Sequence, residues 1–124
     1  MKKEDKFNKG SNLKNTSIDA SINYLQSIKN NLTKDDQEFV KVFTKMLSIR
    51  LNKNSDYGNS FSEGFVKMGS PYAIGRIWDK VCRLVNICTT KNILVKDESV
   101  EDTLIDCANY CIMTYIELNK LNKS

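Results

Sequence analysis

The scarcity of helix-breaking residues is what most constrains the fold of this chain. Its 124 residues include only 5 glycines and 1 proline. Sandwiches and barrels need frequent turns, and glycine and proline supply many of them. The best strand candidate, Ile93 to Val95, is too short to support a sheet. The sequence therefore predicts an all-α fold.

Apolar residues recur at helical spacing in several segments, as Ile18, Ile22 and Leu25 do in the first of them. Such spacing places an apolar stripe along one side of a helix. We expect a bundle of four long helices and a short one, at about 17–31, 33–51, 61–68, 71–90 and 98–119. Residues 17–124 would form a single domain behind a flexible arm at 1–16.

Polar residues at the predicted helix starts have the spacing of known capping motifs. Thr33 and Asp36 are three residues apart, which is the spacing of a capping box. Ser70 precedes Pro71, so we expect Ser70 as the N-cap and Pro71 at the first helical position.

The last two helices carry the broadest apolar stripes, and we expect these stripes to face the core. In the helix at 71–90 the stripe contains Ile74, Ile77, Trp78, Val81, Leu84, Val85 and Cys88. In the last helix it contains Val100, Leu104, Cys107, Ala108, Cys111, Tyr115 and Leu118. Further apolar residues surround the later part of this helix, which predicts central burial or a dimer seam.

Composition excludes several classes of function. The chain has no histidine, which removes Ser-His-Asp and Cys-His catalysis. A net charge of +4 is too weak and too dispersed to indicate a nucleic-acid partner. No apolar run approaches the roughly 20 residues of a membrane span, and no secretion signal is visible. We therefore expect a cytoplasmic protein whose four cysteines stay reduced.

Three acidic residues form a row on the last predicted helix. Glu98, Asp102 and Asp106 follow one another at intervals of four, which places them on one side. Clustered carboxylates can bind Mg²⁺, usually together with nucleotide phosphates. Acidic residues in a first turn also favour the helix dipole, although Asp106 lies beyond that turn. Asn109 continues the row and is a candidate ligand-binding residue.

A basic row lies on the preceding helix. Arg76, Lys80 and Arg83 are four and three residues apart and share one face. Arginine matches phosphate oxygens with a planar fork, and lysine adds a point charge. The same row is also compatible with a solvated face or with salt bridges to the acidic helix.

The polar segment between the second and third predicted helices is the third candidate. Tyr57 and Phe61 can stack on a base, and Asp56 can accept a hydrogen bond from a ribose hydroxyl or join a metal site. Lys53, at the start of the segment, is a further candidate for ligand binding. Alternatively, the segment is a tight turn that the two aromatic residues anchor in the core.

Together, these segments resemble a known family. Residues 53–61 (KNSDYGNSF), 75–83 (GRIWDKVCR) and 97–110 (DESVEDTLIDCANY) resemble, in this order, the nucleotide modification associated domain 1 family of phages and bacteria. The resemblance covers about 50–117 and implies a helical domain associated with nucleotide metabolism.

More distantly, the chain is similar to the all-α pyrophosphatases of the MazG and dimeric dUTPase type. That similarity implies a MazG-like bundle, a homodimer or larger assembly, and Mg²⁺ held by Glu98, Asp102 and Asp106. Those enzymes also carry an acidic ExxE motif on an earlier helix, where this chain has Arg76 and Lys80 instead.

Three functions are therefore open. The first is Mg²⁺-dependent cleavage of a nucleotide between its phosphates by a metal-activated water. The second is sequestration of a nucleotide signal without cleavage, as an anti-defence protein of a phage would do. The third is a salt-bridged scaffold that holds a homo-oligomer together. The sequence does not select the base or the sugar.

Overall fold

The structure is a computed structural model that describes residues 17–53, 59–90 and 98–123, with only the backbone at Glu98. Its elements are α1 (Ile18–Ile28), a 3₁₀ turn (Lys29–Asn31), α2 (Lys34–Asn52), α3 (Ser60–Met68), α4 (Ser70–Thr90) and α5 (Glu98–Lys123). These ranges contain no strand. The prediction of an all-α fold with four long helices and a short one is confirmed, while the predicted arm at 1–16 lies outside the described residues.

The helix starts follow from local hydrogen bonds. Thr33 and Asp36 form the predicted capping box: the Asp36 amide donates to Thr33 Oγ1 at 3.1 Å, and the Thr33 amide donates to Asp36 Oδ2 at 3.0 Å. The hydrogen bond that its carboxylate accepts from the Thr33 backbone, with a smaller contribution from the Thr33 side chain, lowers the pKa of Asp36. Ser17 caps α1 by accepting from the Ala20 amide.

The junction between α3 and α4 is set by a glycine. Gly69 has a φ of +76°, a region that favours glycine, and its amide donates to Phe65 O at 2.7 Å. The next helix begins at once, so Ser70 is its first residue and Pro71 its second. The prediction that Ser70 is the N-cap is therefore one residue off, because Gly69 already ends α3 and turns the chain.

The chain divides into two compact units within α2, between Val42 and Phe43. The first contains α1 and the 3₁₀ turn, and the apolar side chains of α1 are exposed or half-buried. The second contains the end of α2 with α3, α4 and α5. The single-domain prediction stays a prediction, and the candidate site below belongs to the second unit.

The core of the second unit is small and partly aromatic. Its buried members come from α3, α4 and α5, and half-buried residues from α2 and α4 pack against them. Phe61 packs against the rings of Tyr72 and Tyr110 at centroid distances of 5.8 and 5.7 Å. The buried set is Phe61, Phe65, Ala73, Tyr110 and Met113.

Helices α4 and α5 form an antiparallel pair. Residue numbers fall along α5 as they rise along α4 in the side-chain contacts of Arg76 with Tyr110, Lys80 with Asp106 and Arg83 with Ser99. This pairing determines which side of each helix is covered, and therefore which residues of the predicted apolar stripes are buried.

The predicted stripes of α4 and α5 are only partly buried, which corrects the expectation that they face the core. On α4, Ile77, Val81 and Leu84 are half-buried, while Ile74, Trp78 and Val85 are exposed. On α5, Val100 is buried, Cys107 and Ala108 are half-buried, and Leu104, Cys111, Tyr115 and Leu118 are exposed. The buried residues of α5 are four apolar and four polar side chains that cover more than half of its circumference: Val100, Ile105, Tyr110, Met113, Thr103, Asn109, Thr114 and Glu117. The neighbours of α5 therefore cover a side on which half of the buried residues are polar, and not its apolar stripe.

All four cysteines lie in described helices and are free thiols in the structure. Within the three described ranges, each helix is too short or too polar to cross a membrane.

Candidate functional site

The basic row of α4 is turned onto α5. Arg76 Nη2 donates to the hydroxyl of Tyr110 at 3.1 Å, and its Cζ lies 5.4 Å from the centre of that ring. Lys80 Nζ lies 3.3 Å from Asp106 Oδ2. Arg83 Nη2 donates to Ser99 Oγ at 3.4 Å. The predicted common face of the three residues is therefore real, and both guanidinium groups meet neutral hydroxyls.

Asp106 is shared between Lys80 of α4 and Lys53, which directly follows α2. Its Oδ2 faces Lys80, and its Oδ1 lies 3.9 Å from Nζ of Lys53, at the end of α2. The side chains of Asp106 and Lys80 are 21% and 22% exposed, while that of Lys53 is 51% exposed. This partly buried arrangement joins α2, α4 and α5, and it strengthens the interaction between the charges relative to a fully solvated pair.

Arg50 adds a further cationic group from α2. Its residue number places it on the same side of α2 as Met46 and Lys53, and both of these contact α5: the Met46 carbonyl accepts from Asn109 at 3.5 Å. The Nη1 atom of Arg50 is buried without a hydrogen-bond partner in the described part of the chain. A buried donor of this kind is costly unless a ligand or water satisfies it.

The surroundings of the row shift two pKa values. The hydrogen bond to Tyr110 raises the pKa of the Arg76 guanidinium above its ordinary value. Burial raises the pKa of the Cys107 thiol, the neighbouring Cys111 raises it further, and Lys80 offsets part of this. A thiol with a raised pKa is a poor nucleophile at neutral pH, so Cys107 is not an activated cysteine.

The predicted metal ligands are only partly described. Asp106 contacts the two lysines, Asp102 is exposed, and the side chain of Glu98 lies outside the description. Among the side chains that are described, no group of three acidic or cysteine residues could hold a metal ion. These residues do not by themselves fit a magnesium site. The magnesium assignment stays a prediction that depends on Glu98.

The remaining predicted residues separate into two groups. Asp56 and Tyr57 lie outside the described residues. Phe61 is a core residue, 2% exposed, and Asn109 is 4% exposed and donates to α2. Their predicted contacts with a ligand are not favoured by these positions, because each side chain already packs inside the second unit.

Three residues that the sequence did not mark belong to the site. Tyr110 and Ser99 accept from the two arginines of α4, and Arg50 brings the buried donor. The sequence does contain one indication for Tyr110. Tyr110 follows Asp106 by four residues, and Arg76 precedes Lys80 by the same interval. In an antiparallel pair, equal intervals of this kind bring both pairs into contact.

These features define a class: an all-helical domain in which a basic helix packs antiparallel to a helix that bears hydroxyl and carboxylate groups. Residues 53–118 match the model of the nucleotide modification associated domain 1 family, which is more than half of the chain. The chain therefore belongs to this family. Comparisons with curated proteins and with solved structures returned no match. The more distant similarity to MazG-like pyrophosphatases gains no support from them and stays a prediction.

Proposed function

We propose that the chain binds a phosphorylated nucleotide along the basic row of α4. The observation that carries the proposal is the pairing of two guanidinium groups with neutral hydroxyls, Arg76 with Tyr110 and Arg83 with Ser99. Both arginines are exposed and therefore accessible to a ligand. Hydrogen bonds between a guanidinium and a phosphate are about twice as strong as bonds to a neutral acceptor. A phosphate group would therefore displace these hydroxyls.

The length of the row favours an extended ligand. From Arg76 to Arg83 the axial rise is roughly 10 Å, at 1.5 Å per residue. A single phosphate does not span this distance, whereas a chain of phosphates, or phosphate groups on two sides of a sugar, can do so. Lys80 lies between the two arginines and adds a point charge in the middle of the row.

The end of α2 brings further positive charge to the same region. Lys53 approaches Asp106 from α2, and Arg50 has a buried Nη1 atom without a partner among the described residues. A phosphate oxygen is a suitable acceptor for such a donor. The family name supports a nucleotide as the phosphorylated compound. The stacking of a base on Tyr57 remains a prediction.

The proposal concerns binding, and it leaves two outcomes for the bound nucleotide. Cleavage would need the predicted carboxylates, with Glu98 completing a set that Asp102 and Asp106 begin. Sequestration would need only the cationic groups. The contact of Asp106 with two lysines favours sequestration, since a carboxylate engaged in this way is less available as a metal ligand.

Titration calorimetry tests the proposal. Ribo- and deoxyribonucleoside mono-, di- and triphosphates are titrated into the protein, with unphosphorylated nucleosides and inorganic phosphate as reference ligands. Replacing Arg76 by alanine should raise the Kd by about 10- to 150-fold, since a hydrogen bond to a charged group contributes about 1.5–3 kcal/mol. The control is Lys67→Ala, because Lys67 is an exposed cation on α3, outside the row. It should leave the Kd unchanged.

Two results would contradict the proposal: the absence of nucleotide binding at millimolar concentration, or equal effects of Arg76→Ala and Lys67→Ala. Chromatography of the incubated nucleotide, with and without Mg²⁺, then separates the two outcomes for a bound ligand. New products indicate cleavage, whereas a ligand recovered intact after heat denaturation of the protein indicates sequestration.

A further inference from the structure

Two cysteine side chains lie one turn apart on α5. Cys107 and Cys111 are four residues apart, so both project from the same side of the helix. Both are free thiols, and Cys111 is exposed while Cys107 is half-buried. The proposed nucleotide site uses neither thiol, although Cys107 directly follows Asp106. The pair is therefore reactive chemistry that nucleotide binding leaves without a role.

The two thiols are in direct contact. A hydrogen bond joins the side chains of Cys107 and Cys111, and it is one cause of the raised pKa of Cys107. Residues four apart on a helix have Cβ atoms about 5–6 Å apart, so their sulfur atoms meet only when both side chains turn toward each other. The structure therefore holds the two sulfur atoms together on a side of α5 that solvent reaches through Cys111.

Such a pair has the dimensions of a chelating dithiolate. A zinc–thiolate bond is about 2.3 Å long, so two sulfur atoms on one ion of that size lie at most roughly 4.6 Å apart. Copper(I)–thiolate bonds are of similar length. Because hydrogen-bonded thiols are within this range, one ion can bridge them while the helix is retained.

The number of ligands selects the ion. Among the described side chains, no group of three or more cysteine or acidic residues could hold a metal ion. Zinc takes four ligands at structural sites, so a pair of thiolates does not satisfy it. Thiolates are soft ligands that favour copper(I), and copper(I) is stable with two thiolates in a nearly linear arrangement. The pair therefore suits copper(I) better than zinc.

A cationic side chain lies beside the pair. Lys80 is close enough to Cys107 to offset part of the rise in the pKa of that thiol, and its side chain is 22% exposed. Two thiolates that bind one monovalent ion carry one negative charge, whereas two thiols are neutral. The positive charge of Lys80 stabilises this product, and partial burial strengthens the attraction.

We propose that Cys107 and Cys111 form a binding site for a single copper(I) ion. Each thiol releases its proton to the solvent, and both sulfur atoms bind the ion, so that neither sulfur nor copper changes its oxidation state. The proposal rests on the thiols and their neighbour Lys80, and it does not require that a nucleotide binds.

Competition with bicinchoninate, a coloured chelator of copper(I), tests the proposal. The full chain is titrated in the absence of oxygen, with ascorbate to keep the copper reduced. The wild type should withdraw one copper ion per chain from the chelator. The ultraviolet absorption of copper–thiolate bonds should rise to the same endpoint.

Serine variants identify the ligands. Cys107→Ser and Cys111→Ser should each lower the affinity for copper(I) at least tenfold, because a single thiolate remains. Cys82→Ser and Cys88→Ser are the matched controls, since both of these cysteines are exposed on α4, and they should keep the wild-type affinity. Because Cys111 is exposed, its replacement should leave the helical circular dichroism unchanged.

The variant Lys80→Met tests the contribution of the neighbouring charge. Methionine has an unbranched apolar side chain and no charge, so the affinity for copper(I) should fall while the stoichiometry stays at one ion per chain.

Three results would overturn the proposal. The first is a wild-type protein that leaves all the copper with the chelator. The second is a loss of affinity in Cys82→Ser or Cys88→Ser that equals the loss in Cys111→Ser. The third is a doubling of the mass on addition of copper, measured by light scattering, because the ion would then join thiols of two chains.

Discussion

Replacing Asp106 by asparagine separates the binding proposal from the enzyme hypothesis, because the two predict opposite effects. Asp106 lies 3.3 Å from Lys80 and 3.9 Å from Lys53. Asparagine keeps the shape of the side chain and removes its charge. If the lysines bind phosphate, the variant releases them from a competing carboxylate. If Asp106 holds Mg²⁺, the variant removes a ligand.

The size of the effect follows from the exposure of the two ion pairs. Two unit charges 4 Å apart interact by about 1 kcal/mol in water and about 4 kcal/mol at an effective dielectric constant of 20. Measured exposed pairs reach only about 0.2–1 kcal/mol. The Lys80 pair is roughly four-fifths buried and the Lys53 pair is about half exposed on the lysine side. We therefore expect a gain of about 1–2 kcal/mol in nucleotide binding, which is roughly a 5- to 30-fold lower Kd.

The assay is calorimetric titration of the wild type and Asp106→Asn with the nucleotide that binds best, at two salt concentrations. The gain should shrink at high salt, because exposed charges are screened within about 10 Å at 0.1 M ionic strength. Asp102→Asn is the matched control. Asp102 is one turn away on the same helix and exposed, so its replacement should change the Kd far less.

A weaker affinity in Asp106→Asn at both salt concentrations, with unchanged helical content, would refute this reasoning. Loss of a Mg²⁺-dependent product in both Asp106→Asn and Asp102→Asn would instead support the metal-ligand hypothesis. Unchanged binding would place the nucleotide away from Lys80.

Two further predictions concern the stability of the second unit. In Gly64→Ala the new methyl group would collide with the ring of Tyr72, which should lower the free energy of unfolding by about 1–3 kcal/mol. The higher helix propensity of alanine offsets part of this loss. Gly75→Ala meets no atom within 4 Å and should stabilise α4 by about 0.5–1 kcal/mol, so urea unfolding should show opposite signs for the two variants. The hydrogen bond from Ser62 lowers the pKa of Glu117 below its ordinary value of 4.5, so its stabilisation is present above that pH and is lost as the pH falls through the folded pKa. Ser62→Ala should therefore cost about 1.5–3 kcal/mol near pH 7 and progressively less below pH 4.5, as measured by urea unfolding at each pH.

The sequence predicts those structural features that depend only on a few neighbouring residues, such as helix starts and the residues that share a helix face. The capping box of Thr33 and Asp36 and the break at Gly69 depend on hydrogen bonds and backbone angles within four residues, so the helix starts were predicted to within a residue or two. The common face of Arg76, Lys80 and Arg83 follows from helical periodicity alone. The end of α5 was placed four residues early, because no glycine or proline marks where that helix stops.

Tertiary packing decided which side of each helix is buried. Periodicity identifies an apolar stripe but not the neighbour that covers it. Helices α4 and α5 contact each other through rows that contain Arg76 and Lys80 on α4 and Asp106 and Tyr110 on α5, and these rows differ from the exposed apolar stripes. The buried residues of α5 include Thr103, Asn109 and Glu117, whose polar groups find hydrogen-bond partners on α2, on α3 or within α5 itself. The ion pairs of Asp106 with Lys53 and Lys80 likewise depend on the packing of segments that are distant along the chain. Such contacts join residues that are distant along the chain, so spacing within one helix does not encode them.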